Sequence, residues 1–187
     1  MAISSNASPA EKLSPFYKKN EQFCKDFERF IASKEGLIKG KYNAYSYLVT
    51  GKITKPANWK LVYKKSTFSS TGNLWLSSKS QSLFVSVDWK TRRLDSSNSN
   101  FVIRKKSVID FLRIILNENL TLLDFDKKYV IETKNNNSKL ISKLLPVLKN
   151  IFHSGELYQI VYKNNKLIIS LRSEKHHFNL FNELLVV

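Results

Sequence analysis

The chain is poor in several things at once. Its 187 residues hold one cysteine, Cys24, with five glycines and four prolines. A lone thiol excludes an internal disulfide and any multi-cysteine metal site, and it agrees with a reducing compartment. So few glycines and prolines argue against long flexible linkers. No apolar run approaches the roughly 18 residues that a bilayer crossing needs. The longest, residues 108–116, is broken by Asp110 and Arg113. The first nine residues lack a basic segment followed by an apolar one, so they do not read as a secretory signal. The expected location is cytoplasmic, extending to the periphery of the inner membrane.

The most telling absence is of negative charge. Residues 36–87 contain no Asp or Glu, yet they hold eight lysines and eight large aromatics: Tyr42, Tyr45, Tyr47, Trp59, Tyr63, Phe68, Trp75 and Phe84. Over the whole chain 31 Lys and Arg face 15 Asp and Glu, a formal net charge of +16. Such an excess raises association rates with anions. Nucleic acid, an anionic lipid leaflet and an acidic protein would all profit. The plainer reading is a lysine-rich surface produced by an AT-rich genome. A carboxylate-free stretch of this length fits that reading poorly, because drift leaves scattered acids.

Hydrophobic residues make up 42% of the chain and aromatics 12%, enough for a packed core. Residues 1–13 are rich in Ser, Ala, Asn and Pro and are expected to be disordered; residues 14–187 are expected to form a single domain, with a sub-division near 107. Ser14-Pro15 reads as N-cap and first helical residue. Phe16, Phe23, Phe27, Phe30 and Ile31 then recur at helical spacing to about Ser33, a stripe expected to face the core. Period-two alternation predicts strands over 58–64 and 83–90, with further strands over 42–53, 73–77 and 101–105. Gly72-Asn73 and residues 95–100 read as turns. Connections this short favour an antiparallel meander.

In the second half, Ser107 and Asp110 carry the spacing of a capping box ahead of a short apolar helix to Leu116. A strand is predicted over 128–133, then a loop of Asn135, Asn136, Asn137 and Ser138. A helix from Lys139 follows, which Pro146 bends or restarts toward Phe152. Residues 157–163 and 166–172 form a predicted hairpin about Asn164-Asn165, residues that tolerate the positive φ of a type I′ turn. A last helix carries Phe178, Phe181, Leu184 and Leu185. The fold class is therefore α+β: an N-terminal amphipathic helix, an antiparallel β-meander, then mixed β/α ending in a hairpin and helix.

Catalytic and metal-binding chemistry finds little support. His176-His177, with Glu174 close by, are adjacent, so their side chains diverge on strand or helix; no third ligand stands at metal spacing, and a polar turn is the simpler reading. His153 falls at a predicted helix end, where a cation meets the dipole favourably. Asp124 and Asp126 share a face of extended chain, an arrangement able to divide acid and base roles, but Asp126 serves equally as a turn cap. Cys24 lies beside the apolar helical stripe as a small hydrophobe. Phosphate-binding glycine loops are absent. No enzymatic activity, cofactor or metal is expected.

The segment Leu123-Asp124-Phe125-Asp126-Lys127-Lys128-Tyr129-Val130-Ile131-Glu132, followed by Leu144-Leu145-Pro146, resembles a family of uncharacterised bacterial domains. In that family a D-x-x-F-D-x-x-F/Y strand leads into an LL-x-P helix and then a hairpin like residues 157–172. The resemblance covers residues 100–172. Here Pro146 follows the leucines directly, and no membrane-spanning run precedes the segment. The resemblance implies a fold and proximity to a membrane, and carries over no catalytic residue.

These readings converge on a non-catalytic basic domain that binds a polyanion, with a nucleic acid expected first. Anionic lipid at a membrane surface and an acidic protein partner are the alternatives. The expected contacts are Lys60, Lys64, Lys65, Arg92, Arg93, Arg104, Lys105 and Lys106, gathered at strand ends, with Trp75 and Phe84 as candidates for base stacking. If they form one rim, reversing Lys64, Lys65, Lys105 and Lys106 to Glu abolishes binding and leaves the melting temperature nearly unchanged.

Overall fold

A computed structural model describes residues 3–68, 82–92, 100–116, 119–133 and 139–186. The expected strand over 73–77, the Gly72-Asn73 turn, the 135–138 loop and most of the 95–100 loop lie outside these residues. The fold is α+β, as the sequence predicts, and the chain divides into two compact units. One holds Met1–Trp89 with Ser173–His176, the other Lys90–Arg172 with His177–Val187. The boundary between the units follows Trp89, and residues 173–176 belong to the first unit.

In the first unit, β1 (Ile3–Ser5) and a one-turn helix α1 (Pro9–Lys12) precede α2 (Pro15–Ser33). The sequence predicts disorder for residues 1–13, but there are local reasons for order from Ile3 onward. β1 pairs in parallel with β2 (Leu37–Tyr42), Ile3 opposite Gly40. Ser8 and Glu11 close a reciprocal capping box over α1. Parallel pairing requires a crossover, and α1 with α2 supplies it. Ser14 caps α2 as expected, its Oγ accepting from the Phe16 N–H at 3.3 Å.

Three further strands follow, β3 (Tyr47–Ile53), β4 (Trp59–Phe68) and β5 (Ser82–Arg92), in the spatial order β1-β2-β3-β4-β5. Residues 42–53 are not one strand: β2 ends at Tyr42 and the chain reverses over Asn43 to Ser46. The Asn43 side chain makes that turn, its Oδ1 accepting from the N–H groups of Tyr45 and Ser46 at 2.9 and 2.8 Å. α2 covers one sheet face. Its buried line is Asn20, Cys24, Phe27 and Ile31, while Phe16 of the expected stripe is 59% exposed. Asn20 earns its buried place by donating to the carbonyls of Asn43 and Ala44, at 2.9 and 3.1 Å. Facing the helix are Tyr47, Val49, Ile53, Trp59, Leu61, Tyr63, Val87 and Trp89.

The second unit orders its strands β10-β9-β6-β8-β7: β6 (Phe101–Lys105), β7 (Leu120–Leu122), β8 (Tyr129–Thr133), β9 (Leu157–Lys163) and β10 (Lys166–Leu171). α3 (Asp110–Leu116) follows β6, α4 (Lys139–Ser154) joins β8 to β9, and α5 (Phe178–Leu184) comes after β10. The β9–β10 hairpin turns at Asn164 and Asn165, with φ of 52° and 57°, as the sequence predicts. α4 continues through Pro146 without interruption. Its Leu140, Leu144, Leu148 and Ile151 are buried, as are Ile103, Tyr129, Ile160 and Ile169 of the sheet. Tyr129 is fully buried and donates its hydroxyl to the Leu157 carbonyl at 3.3 Å.

Candidate polyanion-binding face

The sheet of the first unit has a second face, opposite α2. Alternation assigns its residues: Leu37, Lys39 and Lys41 on β2; Leu48, Thr50 and Lys52 on β3; Lys60, Val62 and Lys64 on β4; Phe84, Ser86 and Asp88 on β5. Leu37, Leu48 and all five lysines are exposed. Strand register sets them in rows. Leu37 lies opposite Lys52 and Lys52 opposite Lys60; Lys41 lies opposite Leu48 and Leu48 opposite Lys64. Residues two apart on one strand stand about 7 Å from each other, and neighbouring strands about 4.8 Å. Lys39, Lys41, Lys52 and Lys60 make no ion pair among the described residues. The Lys64 ammonium lies 5.8 Å from the centre of the Phe84 ring, so the face carries both a cation and a half-buried aromatic at one place. Leu37, Ile38, Lys39, Thr50 and Lys52 line a shallow depression of about 240 Å³.

This arrangement costs the free protein something. Like charges directly opposite on paired strands repel, and Lys52 faces Lys60 with neither in an ion pair among the described residues, Asp88 on β5 being the one carboxylate among the residues assigned to this face. An anion laid across the strands would remove the repulsion.

The predicted contacts do not form one rim. Lys60 and Lys64 lie on the open face. Lys65 points to the opposite side, its side chain 11% exposed and 4.0 Å from the Glu174 carboxylate, which also pairs with Lys19 at 3.1 Å. Burial pulls the Lys65 ammonium below its usual range. The fourfold Glu variant would therefore damage the fold as well as any binding surface. Arg92 is exposed in the second unit and, with Lys163, Asn164, Asn165 and Lys166, lines a cavity of about 660 Å³. Arg104 grips the buried carboxylate of Asp110. Lys105 donates to the Gly155 carbonyl at 2.6 Å, just beyond the end of α4. Lys106 is exposed. Arg93 and Trp75 lie outside the described residues.

Lys39, Lys41 and Lys52 were not among the contacts predicted from sequence. For Lys39 and Lys41 the signal was present in the Lys-x-Lys alternation of residues 39–41, and for Lys52 in its place between Gly51 and Ile53, all inside the carboxylate-free stretch.

Four of the residues weighed for catalysis, His176, His177, Asp126 and Cys24, have structural surroundings of their own, while Asp124 and His153 are exposed. The His176 ring stacks on Phe23 at 3.7 Å between centres and meets Tyr63 at 5.5 Å. His177 opens α5 in the left-handed region, with Nε2 3.3 Å from the Glu156 carboxylate. The Asp126 Oδ1 accepts from the Lys128 N–H at 3.0 Å. Burial raises the Cys24 thiol to about 12, which keeps it protonated at neutral pH. Among the described residues no group of three His, Cys, Asp or Glu is placed to hold a metal, and no helix is long and apolar enough to cross a membrane. No family model, curated protein or solved structure matches the chain.

Proposed function

We propose that the chain is a non-catalytic binding protein whose first unit takes a polyanion on the open sheet face, and that this polyanion is a single-stranded nucleic acid. The observation that carries the reading is the facing pair Lys52 and Lys60, set among Lys39, Lys41 and Lys64 on a face that, among the described residues, no helix of that unit covers. A row of cations supplies phosphate contacts without sequence readout. Phe84, beside Lys64, supplies a ring on which an unpaired base stacks. A pleated face lined by lysines and small apolar side chains suits a flexible strand, which lays phosphates on the lysines and bases on Phe84, Val62 and Leu48.

The test is a binding titration of labelled oligouridine RNA across a salt series, with heparin as a polyanion that has no bases. Affinity that falls steeply with salt and exceeds that for heparin of matched charge supports the reading. Equal affinity for heparin, or none for RNA, overturns it and leaves anionic lipid or an acidic protein as the partner.

A further inference from the structure

The second unit carries a feature that the open face does not explain. Residues 108–116 expose Val108 (94%), Ile109 (68%), Phe111 (70%), Leu112 (62%), Ile115 (71%) and Leu116 (85%). At 3.6 residues per turn these six occupy an arc of about 160° around α3 and its leading turn. Such width forms a convex apolar knob, unlike the narrow stripe that a helix lays in a protein groove. Exposed apolar surface so contiguous marks an interaction site.

The knob is held firmly from beneath. Asp110 is fully buried on the opposite side, bound by Arg104 and by the Ser107 N–H at 2.7 Å, with Arg113 3.7 Å away. Of the two polar groups that interrupt the apolar run in sequence, Asp110 is thus turned inward, while Arg113 stays exposed at the flank of the apolar arc.

Cations stand at its base. The Lys106 N–H donates to the Lys128 carbonyl at 2.8 Å, so these residues lie side by side where β6 leads toward α3. Both are exposed and make no ion pair among the described residues. Of the nearby acids, Asp110 is buried and Asp124 lies 3.8 Å from Lys127. An α3 of seven residues is about 10 Å long, far too short to cross a bilayer, but it suits burial about 5–10 Å deep at the boundary of headgroups and acyl chains.

We propose that this knob inserts into the interface of an anionic lipid bilayer, with Lys106 and Lys128 at the level of the headgroups. Apolar burial and attraction to anionic lipid then act together, each too weak alone for stable attachment. The surface uses no residue of the open face, so it stands whether or not that face binds nucleic acid.

The experiment is vesicle flotation of the full chain with phosphatidylglycerol–phosphatidylcholine vesicles and with phosphatidylcholine alone. It uses the wild type, Leu112→Asp/Leu116→Asp, and the open-face variant Lys39→Gln/Lys41→Gln/Lys60→Gln/Lys64→Gln. The substituted leucines are exposed, so circular dichroism and melting should match the wild type. The expected result is flotation of the wild type and the open-face variant on anionic vesicles only, falling about tenfold or more in the leucine variant. A Leu112→Trp probe quenched by brominated lipid places the knob within the bilayer. Three results overturn the proposal: no flotation of the wild type; flotation lost in the open-face variant and kept in the leucine variant; or a wild-type dimer dispersed by the leucine variant without lipid binding, which makes the knob a contact between copies. RNA titration of the same proteins reads the nucleic-acid proposal separately.

Discussion

Arg104 binds both oxygens of the Asp110 carboxylate, Nη1 to Oδ2 at 2.5 Å and Nη2 to Oδ1 at 2.7 Å, and Asp110 has no solvent exposure. A two-pronged pair of this kind fixes geometry as well as energy. Removing one partner strands the other, so Asp110→Ala is expected to destabilise the second unit by about 3 kcal/mol or more. Urea unfolding followed by circular dichroism checks this; a loss under about 1 kcal/mol would mean that solvent rescues Arg104.

The same pair sets a pH dependence. Hydrogen bonding from Arg104, reinforced by Ser107 and opposed by desolvation, holds the Asp110 carboxyl well below the usual carboxylate range. A carboxyl depressed on folding stabilises the protein fully above its unfolded value of about 3.9, and that stabilisation is lost as pH falls toward the folded value. The urea midpoint of the wild type should therefore drop below about pH 4. In Asp110→Asn the decline should be shallower, and parallel curves would contradict the assignment.

Adjacent lysines separate the two faces of β4. Lys64→Gln is expected to weaken RNA binding several-fold with little change in melting temperature, and Lys65→Gln to leave affinity unaltered. Replacing Lys39, Lys41, Lys60 and Lys64 together should reduce the slope of log affinity against log salt by about 3, at roughly 0.7 for each phosphate contact with a single strand. Titrations at several salt concentrations give this slope directly.

Phe84→Ala should weaken binding of an RNA oligonucleotide by about 1–3 kcal/mol while leaving heparin affinity nearly unchanged, because only the RNA has bases to stack. An equal loss for both ligands would show that Phe84 only positions Lys64.

Gly40→Ala tests the close approach of β2 to β3. A Cβ at Gly40 would stand 2.6 Å from the Leu48 carbonyl oxygen and 2.8 Å from the Val49 Cα. Backbone atoms have no rotamer by which to withdraw, so the variant should lose about 1–3 kcal/mol of stability in thermal or urea unfolding.

Local patterns in the sequence account for much of this fold. Ser14-Pro15 marks the start of α2, Asn164-Asn165 marks the β9–β10 turn, and alternation marks β4 and β5. Each signal lies within a few residues of what it determines. β1 escaped because three residues with no apolar pattern become a strand only when β2 is there to pair with. Asn20 looked like a surface residue of α2, since its acceptors are carbonyls more than 20 positions away. The candidate site was legible as a region but not as a set of side chains. Clustered cations at strand ends suggested a single rim, whereas alternation divides Lys64 from Lys65 and a buried acid claims Arg104. That Asp110 would be buried was not visible in a segment where it looked like an interruption.

The return of residues 173–176 to the first unit bears on how the chain is made. The Tyr63 hydroxyl donates to the His176 carbonyl at 2.6 Å, and the His176 ring covers Phe23. On the ribosome, the first unit must wait for nearly the whole chain before this closing segment emerges, so its aromatic core stays incomplete throughout translation of the second unit. A stop codon before residue 173 would leave that core open, and the product would fall to chaperones and proteases although every residue of the basic face had been synthesised.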